Sequence, residues 1–239
     1  MLNADELQRY RRQLIIPDWG EQGQQKLKLA KVVVAGAGGL GSAVLTYLVI
    51  AGVGKIRIID HDKVELSNLN RQMLHADESI GKRKVDSAKE RLQALNPNVE
   101  IEAISDAISE ENVFDLVGDL LIVDALDNLD ARLLLNKVSV KQKLPLFHGA
   151  VYDFEGRATT LIPGLTPCLQ CLYTGSLSGE VPVAGVTPGV IGCIQAAEVI
   201  KYIIGIGELL TNRLFTYYGL RMKFGEIKLK RDPNCEVCK

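Results

Sequence analysis

The sequence predicts an α/β fold, a Rossmann-like and mostly parallel sheet with helices on both faces, extended by antiparallel strands. Three observations carry that prediction. Lys31 to Ala35 is a β-branched run that opens directly into Gly36-Ala37-Gly38-Gly39-Leu40-Gly41 and then a helix-like stretch, the strand, glycine turn and helix of a nucleotide-binding βαβ unit. Lys55 to Ile59 supplies a second apolar strand ending at Asp60, and a return to the same sheet through a helix requires parallel strands with a right-handed crossover. From Gly149 onward the texture changes: Val151 to Ile162 and Leu214 to Lys230 alternate around single glycines, as antiparallel strands do.

The remaining elements follow in chain order. Asn3 and Glu6 have capping-box spacing, which predicts a helix through Leu14 carrying Arg9, Arg11 and Arg12. Ser42 to Ala51 reads as a helix stopped by Gly52 and Gly54. Lys82 to Leu95 has apolar spacing at Val85, Ala88, Leu92 and Leu95, is closed by Asn96-Pro97, and leads to a strand over Val99 to Ala103. Leu120 to Val123 is the next strand and ends in Asp124-Ala125-Leu126-Asp127-Asn128. A helix over Asp130 to Lys143 and a strand at Leu146-Phe147 follow, and a helix from about Gly192 to Ile204 separates the antiparallel strands. No internal repeat or low-complexity linker interrupts the chain, so residues 1–239 are expected to form one domain, with a nucleotide-binding part over about 1–148 and an antiparallel part over about 149–239.

Composition narrows the function classes. The chain has 239 residues, 47% of them hydrophobic, enough for a sizeable core. Its 28 basic and 29 acidic residues give a formal charge of -1, which implies no global attraction to nucleic acid or to an anionic membrane. Any anion site must be local. The start, Met1-Leu2-Asn3-Ala4-Asp5-Glu6, has no basic segment leading into an apolar run, and the expectation is a soluble, cytoplasmic protein. Four of the five cysteines form two Cys-x-x-Cys pairs, Cys168 with Cys171 and Cys235 with Cys238. That spacing directs two thiolates at one tetrahedral ion, so a closed structural Zn²⁺ site is expected; paired disulfides or redox motifs are the rival reading. Cys193 reads as a small buried helix residue, and His61, His75 and His148, which lack ligand spacing, as ordinary polar or capping residues.

Gly36-x-Gly38-x-x-Gly41 lets a backbone approach a phosphate closely, at a helix start with unpaired amides. Asp60, about 20 residues on, is placed to accept hydrogen bonds from a ribose. These features alone allow either NAD or ATP. The segment after Asp60 is more specific: Ser67-Asn68-Leu69-Asn70-Arg71-Gln72 follows the acidic strand end, joined elsewhere by Arg9-Tyr10-Arg11-Arg12-Gln13, Gly81-Lys82-x-Lys84, Asn96-Pro97 and Asp127-Asn128. With these motifs the chain resembles, along nearly its whole length, the HesA/MoeB/ThiF family, enzymes that use ATP to adenylate the C-terminal carboxylate of a small ubiquitin-like protein.

That resemblance implies that Gly36, Gly38, Gly39, Gly41 and Asp60 form the ATP site, that Ser67, Asn68, Arg71 and Lys84 bind phosphates and ribose, and that Asp127, beside Asn128, holds Mg²⁺. It implies further that Arg12 reaches the ATP of a partner subunit in a homodimer, that the antiparallel part binds the carrier, and that the carrier's end is Gly-Gly. Physical reasoning agrees with the division of labour. A helix N-terminus contributes only about 0.3 to 1 kcal/mol per charge, too little for a triphosphate, so fixed cations are needed. A protein α-carboxylate, with a pKa of about 3.3 to 3.7, is already ionised and needs no base.

Three features set this chain apart within the family. Val181-Pro182-Val183, before Ala184-Gly185-Val186, has no thiol where some members carry one, which implies adenylation without an enzyme-bound thioester and sulfur delivered by a separate donor protein. Ala125-Leu126 stands where the family often has Cys-Thr. No sulfur-donating rhodanese-like domain is expected after Lys239. Two other readings stay open: a nucleotide-bound, non-catalytic scaffold for a ubiquitin-like protein, and an NAD-dependent oxidoreductase, which would leave Arg71, Lys84 and four cysteines unexplained.

Overall fold

The computed structural model describes residues 1–173 and 181–239. Its first turn is capped reciprocally: Glu6 N–H donates to Asn3 Oδ1 at 2.9 Å and Asn3 N–H donates to Glu6 Oε2 at 2.8 Å. The single helix expected through Leu14 instead divides into α1 (Ala4–Arg9) and α2 (Arg11–Leu14). Tyr10 occupies the joint, with its ring buried and its hydroxyl accepting from Asn96 Nδ2 at 2.9 Å. A Cβ on Gly52 would lie 2.6 Å from that ring, so anchoring Tyr10 in the core takes precedence over helix continuity. Next comes α3 (Gly20–Leu29), which no apolar stripe announces because its buried face is Gly23, Gln24 and Leu27.

Strand and helix then alternate: β1 (Lys31–Ala35), α4 (Gly39–Ala51), β2 (Lys55–Ile59), α5 (Lys84–Leu95), β3 (Glu100–Ile104), α6 (Val113–Val117), β4 (Leu121–Asp124), α7 (Leu129–Gln142) and β5 (Leu146–Tyr152). The chain continues through β6 (Glu155–Leu161), a one-turn α8 (Leu169–Leu172), α9 (Val186–Ile204), β7 (Arg213–Tyr218) and β8 (Lys223–Lys228). All eight strands form one sheet in the order β3-β2-β1-β4-β5-β6-β7-β8. The pairs from β3 to β5 are parallel and those from β5 to β8 antiparallel, as the change of texture near Gly149 predicts.

Both faces of the parallel half are covered, and β1 shows why it reads as a continuous apolar run. Val32 and Val34 face one core with α3, α4, α5 and α9, while Val33 and Ala35 face a second core with α6, α7 and α8. By length and composition α9 could cross a membrane, but it packs along α4 and over β5 and β6, with Ile191, Ala196 and Val199 in the core. It begins well before the expected Gly192, since Pro188 in the first turn removes only an N–H with no helical partner. Gly192 lies where α9 meets α4, and a Cβ there would stand 2.7 Å from Leu40 O. Cys193, expected to be buried, is exposed; Gly192 and Gln195 on either side take the inward positions.

Candidate active site

Strand order reverses between β1 and β4, which opens a crevice at the C-terminal ends of the strands. Ala35 and Asp124 are register partners at those ends, so the glycine loop after β1 and the Asp127 turn after β4 start side by side. Contact between the two explains the first glycine: Gly36 has φ +101°, and a Cβ on it would lie 2.5 Å from Ala125 O. A Cβ on Gly41 would stand 2.0 Å from Gly36 O, which forces the loop to fold back on itself. Gly38 caps α4 without any side-chain cap, and the nearest atom to a Cβ on it is Gln72 Nε2 at 3.7 Å. Gly39, the first helical residue, packs on Pro188. The loop therefore offers backbone N–H groups to an anion at close range.

Asp60 stands at the end of β2 beside this loop. Its Oδ2 accepts from Ala37 N–H at 2.8 Å and its Oδ1 from Asp62 N–H at 2.9 Å, and each oxygen keeps a lone pair for a ribose hydroxyl. Ala37 is held from its other side too, since its carbonyl lies 3.2 Å from His75 Nε2, while His75 Nδ1 lies 3.0 Å from Ser87 Oγ. Burial, with Lys84 nearby, pushes the His75 pKa down, so the ring is neutral and donates through Nε2. His75 thus does more than the sequence reading assigned to it.

The cationic residues approach from the segment after β2. Asn68 is buried in the turn Leu66–Asn68 and its Oδ1 accepts from Glu65 N–H at 3.1 Å, so it shapes the turn, while Ser67 is exposed. Arg71 Nη1 donates to Ser67 O at 2.8 Å and to Asn70 Oδ1 at 3.0 Å; both partners are neutral, and among the described residues no carboxylate pairs with it. Lys84, the first residue of α5, is 6% exposed and places Nζ 2.8 Å from Asp62 Oδ2.

At the other turn the two adjacent polar residues differ. Asn128 Oδ1 caps α7 by accepting from Ala131 N–H at 2.9 Å, and the exposed Asp127 stays outside the cap. A hard divalent cation is usually held by one or two carboxylates together with substrate phosphates, and Asp127 beside the glycine loop fits that donor set for Mg²⁺. Arg12 is not brought to this crevice. Its neighbour Gln13 donates to Ala51 O at 3.1 Å, at the far end of α4, and a helix of 13 residues is about 20 Å long.

Beneath the Asp127 turn lies a buried network that sequence reasoning missed. Asp124 and His148 are both fully buried, with Nδ1 of His148 2.6 Å from Asp124 Oδ2, which corrects the reading of His148 as an ordinary polar residue. Asp124 Oδ1 accepts from Leu126 N–H at 3.1 Å and lies 3.6 Å from Arg132 Nε. The Arg132 guanidinium donates to Leu126 O and, at 3.2 Å, to Gly149 O. Tyr173 Oη lies 2.9 Å from His148 Nε2. Burial pushes the Asp124 carboxyl up, but Arg132 and His148 outweigh it and hold it below the usual carboxylate range. Burial also pushes His148 down, which keeps the ring neutral: Nδ1–H donates to Asp124 and Nε2 accepts from Tyr173. The one sequence signal was a lone His inside an apolar strand.

The four paired cysteines converge. Cys168 and Cys171 Sγ are 4.0 Å apart, Cys168 and Cys235 3.7 Å, and Cys171 and Cys238 3.5 Å. Tetrahedral Zn–S bonds of about 2.3 Å separate sulfurs by about 3.8 Å, whereas a disulfide needs about 2.05 Å, so the set fits one Zn²⁺ and not two disulfides. Cys168 caps α8, and the adjacent Leu169 N–H donates to Asn136 Oδ1 of α7 at 2.8 Å.

Residues 10–237 match the ThiF family. The chain belongs to the ThiF family. It is 42% identical to the SAMP-activating enzyme E1 of Haloferax volcanii, over 99% of this chain and 90% of that protein. It is also 42% identical to the sulfur carrier protein adenylyltransferase of Thermus thermophilus, over 98% of this chain and 91% of that one. Among solved structures, E. coli MccB with AMPCPP and MccA superposes with a TM-score of 0.88 at 26% identity, covering 99% of this chain and 75% of that one. The ThiF family match spans both the glycine loop and the Asp127 turn of this chain.

Proposed function

We propose that this ThiF family protein uses ATP to adenylate the C-terminal glycine carboxylate of a ubiquitin-like sulfur-carrier protein, releasing pyrophosphate, as a step in sulfur transfer to molybdopterin, thiamine or a tRNA base. The observation that carries the reading is the adjacency of the glycine loop and the Asp127 turn at the ends of β1 and β4, on a chain whose relatives are named adenylyltransferase and activating enzyme. The first-turn N–H groups of α4 bind phosphate oxygens, and Asp60 accepts from the ribose. Arg71 and Lys84 spread positive charge over the α-phosphate as the carrier carboxylate oxygen attacks it and the bond to pyrophosphate breaks. Mg²⁺ held by Asp127 would add charge neutralisation to the phosphates. The carboxylate arrives ionised, so positioning and electrostatics carry the step.

Arg12 completes the partner's site in a homodimer, which its distance from its own glycine loop supports. The antiparallel strands β6 to β8 receive the carrier, whose Gly-Gly end reaches into the crevice, and sulfur comes from a separate donor protein. Ala125-Leu126 in place of Cys-Thr is compatible with activity, because Leu126 is held through its backbone N–H and C=O and Ala125 meets Gly36 through its carbonyl. The deciding experiment is carrier-dependent exchange of labelled pyrophosphate into ATP, with several Gly-Gly carriers and a control of each lacking the dipeptide. Exchange with an intact carrier alone is expected; tight ATP binding with no exchange for any carrier would move the protein to the scaffold reading.

A further inference from the structure

We infer that the four-cysteine cluster is mechanically coupled to the turn bearing Asp127 through Tyr173, His148 and Asp124, and that Tyr173 and His148 are positioning residues for that turn. The path is continuous. Cys168 is the N-cap of α8, Cys171 its third residue and Tyr173 its C-cap. The Tyr173 hydroxyl donates to His148 Nε2, His148 Nδ1–H donates to Asp124 Oδ2, and Asp124 Oδ1 accepts from Leu126 N–H, one residue before Asp127. A second route runs through α7: Asn136 holds Leu169 N–H beside Cys168, and the same helix is capped by Asn128, one residue after Asp127.

The coupling follows from what fixes these parts. A helix of four residues makes too few internal hydrogen bonds to hold itself, so α8 is held by the buried Leu169, by Asn136 and by the cysteines Cys168 and Cys171. Leu126 is gripped at both of its backbone groups, its N–H by Asp124 and its C=O by Arg132, so a shift of Asp124 moves the residue that joins Asp127. His148 has no freedom to absorb such a shift: it is 0% exposed, and its ring stands edge-on to Tyr173 at 5.6 Å. An ion at the cysteines therefore fixes the register of Tyr173 and, through it, the geometry of a carboxylate on the far side of the sheet's second core.

This inference rests on the proposal that Asp127 holds the metal of the metal–ATP complex, and its test needs no carrier protein. The imidazole ¹⁵N resonances of His148 and the affinity for Mn²⁺ in the presence of ATP, read by electron paramagnetic resonance, are measured in the full chain. Tyr173→Phe removes one hydroxyl. It should shift His148 Nε2 and weaken Mn²⁺–ATP binding by about fivefold, the equivalent of one neutral hydrogen bond, while ATP binding without metal stays unchanged. Cys238→Ser, or zinc removal from the unmodified chain by a chelator where that variant does not fold, should move the same His148 resonances. Cys193→Ser, outside the cluster, should move neither. Unmoved His148 resonances after disruption of the cluster, or unaltered Mn²⁺ affinity in Tyr173→Phe, overturns the coupling. A failure of pyrophosphate exchange with every carrier would count against the proposed function and leave these two readouts standing.

Discussion

Lys84 Nζ and Asp62 Oδ2 form an ion pair of 2.8 Å in which the lysine side chain is 8% exposed and the aspartate 51%. The lysine that should neutralise a phosphate is thus already engaged by a half-exposed carboxylate, and a nucleotide must compete for it. Exposed ion pairs contribute about 0 to 1 kcal/mol, so Asp62→Asn should tighten ATP binding by up to about fivefold. Lys84→Ala should weaken it by more than that. Isothermal titration of both variants checks the pair; weaker binding in Asp62→Asn would mean that the aspartate orients Lys84 and does not compete for it.

Asp127 and Asn128 are adjacent, and the proposed metal role falls on the first while the helix cap falls on the second. Asp127→Ala should abolish pyrophosphate exchange and leave the melting temperature and the zinc content unchanged. Asn128→Ala should cost about 1 kcal/mol of stability through the lost cap on α7, with exchange reduced only moderately. Parallel melting and exchange assays distinguish the two, and normal exchange in Asp127→Ala would remove the metal assignment.

The distance between Arg12 and the glycine loop of its own chain yields a complementation test. Arg12→Ala and Lys84→Ala should each be nearly inactive alone, and a mixed dimer should regain part of the activity because one of its two sites is then intact. No recovery in a dimer verified to be mixed would place the action of Arg12 within one subunit.

His75 and His148 give the stability a pH dependence. Both have folded pKa values pushed below the ordinary histidine value of about 6.5, chiefly by burial, so between the two states the unfolded chain binds more protons as pH falls. Stability should therefore be fully present above about pH 6.5 and fall as pH drops from there through the folded pKa values. Asp124, depressed as a carboxylate, contributes above its unfolded value of about 3.9 and is lost only in stronger acid. Urea midpoints from pH 7.5 to 5 should decline, and less so in His75→Gln, which keeps a donor for Ala37 O. A flat profile would mean that both rings titrate as they do in the unfolded chain.

What could be read in the sequence was local. The glycine loop, the βαβ order and the paired cysteines each announce themselves within a few residues, and all sit where that pattern requires. The break at Tyr10 could not be read, because it depends on Asn96 and Gly52, far along the chain. For the same reason α3 was invisible: Gln24 is buried by bonding Ala51 O at 2.8 Å, so a polar residue fills a core position. His148 escaped because its partners Asp124 and Tyr173 lie 24 and 25 residues away on other elements. Arg12 and Lys84 are the opposite case, legible by motif, while their geometry, one remote and one already paired, was not.

The cysteine cluster also sets an order of events during synthesis. Cys168 and Cys171 emerge long before Cys235 and Cys238, and every strand of the sheet precedes the second pair in the chain. The parallel half can assemble while the tail is still being made, since chains fold from the N-terminal side as they appear. Closure of the ring of four cysteines then comes after every described strand has been made. A chain broken off before Cys235 would carry a finished sheet and two unmatched thiols, and quality control in the cell would meet it as a folded body without its clasp.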